Sequence, residues 1–362
     1  MNTTIYDPFS VCFNMMKLKY RDYDESITSK RFVRPYDKIN VFISLESVFK
    51  NLSMVTDLEK KIYMKRDFDE IIISNILNLV SHYKRFFVGN SLDTKVYLYY
   101  TDLSSTDFAQ KKYNDEYRYY YLEKFNKNPK FIYLTEKLQT SILPETKVYC
   151  EFIPNVYLIN GMNIEGSTIP FIISERDKSR KNFIISNELY DSQYSLLDNF
   201  CCHYINKSFK SNNVASTLNG LLGIISKKPQ EISTDFELLF NKYPIYTSLL
   251  SVLGDKSRSI DSLYGYGLST FKKALESPCG KNILNSQNPE TIGDVFNDVE
   301  TKAEFKNNFY CTNLKDMYDE ILDSDKEAIN TQIVDRIDVN SLRQLNGTKF
   351  YNHPIILEGL LI

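Results

Sequence analysis

Apolar positions along this chain change period several times, and each change marks an element. Residues 39–43 (Ile39-Asn-Val-Phe-Ile) form an apolar, β-branched run, and a helix-like pattern starts near Ser44. That reads as strand, then helix. Phe68-Asp-Glu-Ile-Ile-Ile-Ser-Asn-Ile-Leu-Asn-Leu-Val80 repeats at helical spacing, and Lys95-Val-Tyr-Leu-Tyr-Tyr-Thr-Asp102 is a second strand ending on an acid. Val156-Tyr-Leu-Ile and Phe183-Ile-Ile-Ser predict two more strands, separated by a helix-like stretch from Glu165 to Glu175 that Pro170 breaks early. Strands alternating with helices imply a mostly parallel sheet covered on both faces. Strand signals fade beyond about residue 200. Asp235-Phe-Glu-Leu-Leu-Phe onward is helix-like, as is Leu314-Lys-Asp-Met-Tyr-Asp-Glu-Ile-Leu near the end.

Composition narrows the function classes. The 362 residues carry 44 Lys+Arg against 46 Asp+Glu, so binding to nucleic acid by bulk positive charge is excluded and any grip must be local. No apolar run reaches the length of a membrane span, and the first residues carry no charged-then-apolar leader. A cytoplasmic protein is expected. Of six cysteines, Cys201 and Cys202 adjoin His203 and the others are scattered. Without a C-x-x-C spacing this suggests neither a zinc site nor a disulfide framework, and the trio reads as structural.

In a parallel sheet the chemistry lies at the carboxyl ends of the strands. Those ends carry Ser44, Asp102, the Glu165 region and Ser186-Asn-Glu-Leu-Tyr-Asp191. One further segment stands out: Leu249-Leu-Ser-Val-Leu-Gly-Asp-Lys-Ser-Arg-Ser-Ile-Asp-Ser-Leu-Tyr-Gly-Tyr-Gly-Leu-Ser-Thr-Phe-Lys-Lys-Ala-Leu275. It reads as helix, tight turn, helix. Gly265 and Gly267 flank Tyr266, so the backbone can turn sharply and approach a ligand. The amides there, with the helix start near Ser269 and Thr270, suit a phosphate, and Lys272 and Lys273 would reach a strand backbone.

This segment resembles the helix-three-turn-helix element of the 5′-nuclease family (flap endonucleases and 5′-3′ exonucleases, with a PIN-like fold). Gly254, Asp255, Ser257, Ile260, Gly265, Gly267 and Thr270 fall in register with the family pattern. The resemblance continues upstream through Val41-Phe-Ile-Ser44, Asp102, Tyr113-Asn-Asp-Glu-Tyr-Arg118, Met162-Asn-Ile-Glu-Gly-Ser-Thr168 and Ser186-Asn-Glu-Leu-Tyr-Asp-Ser-Gln193, over roughly residues 39–275. It implies an α/β fold with a mostly parallel central sheet flanked by helices, a helix-three-turn-helix, and a helical C-terminal part. The domain division that follows is an N-terminal extension at 1–37, a nuclease-fold core at 38–200, a helical region with the hairpin at 201–280, and a helical extension at 281–362.

The resemblance also implies two divalent cations, Mg²⁺ or Mn²⁺, held by a carboxylate cluster. Here the acids are depleted. Asp102, Glu165, Glu188 and Asp255 remain, whereas Ser44, Ser167, Thr168, Tyr190 and Arg258 stand where the family carries acids. A pocket that loses five anions and gains an arginine is electrostatically poor for two Mg²⁺. The expectation is a catalytically inactive, nuclease-like protein with no metal cofactor. It would bind nucleic acid, DNA in preference to RNA, or serve as a subunit of a replication, transcription or virion assembly, in host cytoplasm or virion. The alternative is an active 5′-3′ exonuclease or flap endonuclease holding one Mg²⁺ or Mn²⁺ on the four remaining acids.

Arg118 and Lys124, in the basic and aromatic run from Lys111 to Lys127, are further candidates for nucleic-acid contact. Tyr117, Tyr121 and Phe125 share one helical face and read as packing; Tyr119 and Tyr120 lie on other faces.

Overall fold

The computed structural model describes residues 37–45, 47, 48, 69, 72, 73, 76, 77, 79–81, 83, 84, 93–100, 138–161, 164–186, 191, 193, 194, 197, 199–204, 247, 251, 252, 254, 260–265 and 293–334. Its centre is a five-stranded sheet in the order β3-β2-β1-β4-β5, with every adjacent pair parallel. The strands are β1 (Ile39–Ser44), β2 (Thr94–Tyr100), β3 (Val156–Asn160), β4 (Lys181–Ser186) and β5 (Phe200–Tyr204). The mostly parallel α/β sheet expected from the apolar runs is present. β5 was not expected, because its residues Phe200-Cys-Cys-His-Tyr lack the aliphatic run that marks the other four strands.

Both faces of the sheet are covered. Val41, Ile43, Val96, Leu98, Val156, Phe183 and Ile185 point to one side, where they meet Leu45, Val48, helical residues between 69 and 84, and helix α1 (Leu143–Phe152). The other side carries Phe42, Tyr97 and Tyr157 stacked across three strands, with centroids 5.0 and 5.1 Å apart. Alternate residues of a strand face opposite sides, and fully buried parallel strands need apolar residues on both. Helix α2 (Ile169–Ser174) lies on this second side, and Phe171 packs on Tyr194, Phe200 and Tyr318. Pro170 falls in the first turn of α2, where a missing N–H costs nothing, so it opens this helix instead of breaking it.

The amino end of the sheet is closed by Arg180. Its buried guanidinium donates to the Ile39 and Asp93 carbonyls at 3.2 and 3.3 Å and to Asn40 Oδ1 at 3.3 Å, and pairs with the Asp93 and Asp177 carboxylates. Between β1 and β4, Asn40 Nδ2 donates to Asn182 Oδ1 at 3.0 Å.

The C-terminal part is helical, as expected: α3 (Val299–Thr312), α4 (Leu314–Asp319) and α5 (Asp323–Asn330). Asp298 accepts from the Thr301 N–H at 2.6 Å to cap α3, and Asn313 accepts from the Lys315 and Asp316 N–H groups to cap α4. Two glutamines fasten this part to the sheet. Gln193 Nε2 donates to Thr312 O at 2.7 Å while its Oε1 accepts from Leu314 N–H at 3.2 Å. Gln332 Oε1 accepts from Asn160 N–H at 2.8 Å and its Nε2 donates to Asn160 O at 3.0 Å.

Candidate nucleic-acid and metal site

The strand order reverses direction at β1 and β4, and at such a switch point the carboxyl ends of a parallel sheet open a crevice. Here that place is occupied by the protein's own side chains. Ser44, the last residue of β1, spends its hydroxyl as a helix cap, accepting from the Ser47 N–H at 3.3 Å. Ser47 Oγ is 3.0 Å from Ser186 Oγ at the end of β4, and Ser186 donates to Asp191 Oδ2. Tyr99, near the end of β2, donates its hydroxyl to the same oxygen at 3.4 Å. The network ties the ends of three strands together, and its five members are all at most 4% exposed.

Asp191 lies in the strand-end segment that the sequence reading singled out, directly after Tyr190, but was not counted among its acids. Its fully buried carboxylate collects two hydroxyl donors, and such bonds to a charged acceptor are stronger than neutral ones. The sequence signal was an acid directly beside the counted positions.

The other described candidates lie at the end of β3. Glu165 is partly exposed and precedes a 3-10 turn, Gly166–Thr168. Thr168 turns its hydroxyl inward, donating to Glu165 O at 2.6 Å, and its N–H donates to the same carbonyl at 2.9 Å. Ser167 offers its carbonyl to the Tyr194 hydroxyl at 2.5 Å. Both residues are buried within the turn. Among the described residues, no three His, Cys, Asp or Glu side chains converge as a cation would require. The described oxygens at the strand ends are hydroxyls and carbonyls together with the carboxylates of Asp191 and Glu165. Asp102, Glu188, Tyr190, Asp255 and Arg258 lie outside the described residues.

The hairpin is described in part. Val252 O accepts from the Leu263 N–H at 3.0 Å, bringing the two sides together. Gly254 has φ +68°, and a Cβ there would lie 2.5 Å from Ile260 O and 2.6 Å from Ser262 N. Only glycine fits that position. Gly265 has φ +76° with open space around it, so it meets the left-handed backbone without a close neighbour. Asn308 of α3 holds the loop by donating to Ser251 O and Asp261 O, both at 2.9 Å. Tyr264, at the tip between buried Leu263 and Gly265, is 93% exposed. Tyr266, Gly267, Ser269, Thr270, Lys272 and Lys273 lie outside the described residues, as do Arg118, Lys124 and the rest of the basic and aromatic run.

Comparison with known proteins gives no family. No family model matches the chain, and no curated protein matches it. Among solved structures, it is similar to a bacteriophage T5 protein co-crystallised with metal ions, at 14% identity and TM-score 0.49, covering 82% of this chain and 100% of the other. A bacteriophage T5 flap endonuclease variant, in a pseudo-enzyme–product complex with DNA and metal ions, is similar at 15% identity and TM-score 0.48, covering 81% and 98%. A zinc-bound T5 5′-exonuclease is similar at 15% identity and TM-score 0.46, covering 88% and 98%.

Proposed function

We propose that this chain is a 5′-nuclease-like protein that has given up two-metal hydrolysis and works by binding, gripping DNA through the hairpin around Gly265 or joining a larger replication, transcription or virion assembly. The observation that carries this reading is the closed network at the switch point. Ser44, Ser47, Ser186, Asp191 and Tyr99 are joined by hydrogen bonds there, so the described strand ends present linked hydroxyls around one carboxylate instead of a cluster of acids. A cation would have to break those bonds and then find few anionic oxygens. Grip without cleavage needs only what the hairpin sequence offers: glycines for a sharp turn, a helix start for phosphate and nearby lysines.

The test is a labelled 5′-flap DNA incubated with the protein in Mg²⁺ and then Mn²⁺, beside anisotropy on the same DNA. The expected result is binding without cleavage. Cleavage that disappears in Asp102→Ala or Glu165→Ala would overturn this reading and establish the one-metal nuclease. If the protein neither binds nor cuts, its role is that of a protein subunit without a nucleic-acid grip.

A further inference from the structure

A lone exposed apolar side chain is ordinary on a protein surface. Tyr264 is set apart by its mounting. Among the exposed large apolar residues described it is the most exposed, at 93%, and the only aromatic one, whereas Leu263 directly before it is 2% exposed. The Leu263 N–H is tied to Val252 O at 3.0 Å, and Ile260 is buried as well. Asn308 Nδ2 donates to Ser251 O and Asp261 O, both at 2.9 Å, so α3 holds both limbs of the hairpin. Gly254 fits against the Ile260 carbonyl with no space for a Cβ, which makes that limb close-packed. A side chain presented from such a base gives up little backbone freedom when it meets a ligand. Just past it, Gly265 has φ +76° and no heavy atom within 4 Å of where a Cβ would stand, so a partner can approach the backbone beside the ring.

Charge on the turn selects what that partner presents. Residues 260–265 carry one acid, Asp261, and no cation, and Asp261 is exposed together with Tyr264. A phosphate gains nothing from that combination. A nucleobase offers a flat face on which a neutral phenol ring can stack whatever the sequence. Bases inside a continuous duplex have both faces covered by their neighbours, so only an unpaired or terminal base has a face to give.

We infer that Tyr264 is a stacking contact for an unpaired base of the bound DNA. The inference rests on the reading of the hairpin as a DNA grip. It adds to that grip an uncharged contact with a base, beside the phosphate contacts that Lys272 and Lys273 would make.

The experiment is anisotropy of the full-length chain with two labelled 5′-flap DNAs, one intact and one whose unpaired nucleotides are abasic, keeping only sugar and phosphate. The parent is expected to bind the intact flap about tenfold more tightly than the abasic one. Tyr264→Ala, an exposed change, should lose about the same tenfold on the intact flap and nothing further on the abasic one, because ring and base are two halves of one contact. Tyr264→Phe should bind as the parent does. The slope of log affinity against log salt should be equal in all three proteins, since a neutral ring releases no counterions. Tyr264→Ala binding the intact flap as the parent does, or losing equally on both flaps, would overturn the stacking contact and leave the DNA grip standing. A parent that binds neither flap would overturn both.

Discussion

At the scale of single residues, the electrostatics of burial decide most of what can be measured. Asp191 accepts from Ser186 and Tyr99 inside the protein, and Asp191→Ala removes the acceptor of both bonds. At about 0.5–1.5 kcal/mol for each lost bond, the variant should lose about 1–3 kcal/mol, read from the midpoint of urea unfolding. Asp191→Asn, which keeps an acceptor, should lose less. The loss should be the same with EDTA as with Mg²⁺, since the carboxylate is engaged by hydroxyls; a Mg²⁺-dependent difference would point to a bound cation. Lys84 presents the opposite case. Burial lowers its ammonium from 10.5 to about 8, and it donates to Pro154 O at 2.9 Å. Because the folded value lies below the unfolded one, the unfolded chain binds more protons from about pH 8 to 10.5, and stability rises with pH across that window. Relative to Lys84→Met, the parent should gain up to about 3 kcal/mol between pH 7.5 and 10.5, followed by unfolding at each pH.

Elements add constraints that single residues do not. The hairpin turn depends on two glycines for different reasons, and substitution separates them. Gly254→Ala must both hold a left-handed φ and push Ile260 O away, so it should cost about 3 kcal/mol or more and weaken DNA binding with it. Gly265→Ala carries only the backbone strain, about 1–2 kcal/mol, and Gly265→Asn less. Thermal melts of the three variants check the ranking. The elements were legible where period and residue type agreed: the β-branched runs at 39–43 and 183–185 are strands in register with each other. Legibility failed where the signal depends on tertiary context. Phe200-Cys-Cys-His-Tyr is a strand because β4 offers it an edge, and α1 forms around Pro144 in a stretch with little amphipathic contrast. The site divided the same way. Ser44 could be picked out by its place at a strand end, whereas Asp191 gained its role from Tyr99, a neighbour 92 residues away.

For the whole molecule, near-balanced charge means that any DNA grip is confined to one region, and salt dependence measures its size. Affinity for the flap should fall linearly in log salt. Lys272→Glu with Lys273→Glu should flatten that slope by about 2 if both lysines contact phosphates; an unchanged slope would place the grip elsewhere. No helix among the described residues is long and apolar enough to cross a membrane.

The two glutamine staples have a practical consequence. Gln193 and Gln332 each bond main-chain groups on the far side of a long stretch of sequence, one from the loop after β4 to Thr312 and Leu314 and one to Asn160 on β3. An expression fragment cut at residue 290 to isolate a minimal core would strip β3 of its cover, bare Gln193, and lose the Asn308 prop under the hairpin. What remained would be a sticky, self-associating polypeptide. The last fifth of the chain is thus better regarded as the keel of this protein than as an appendage to it.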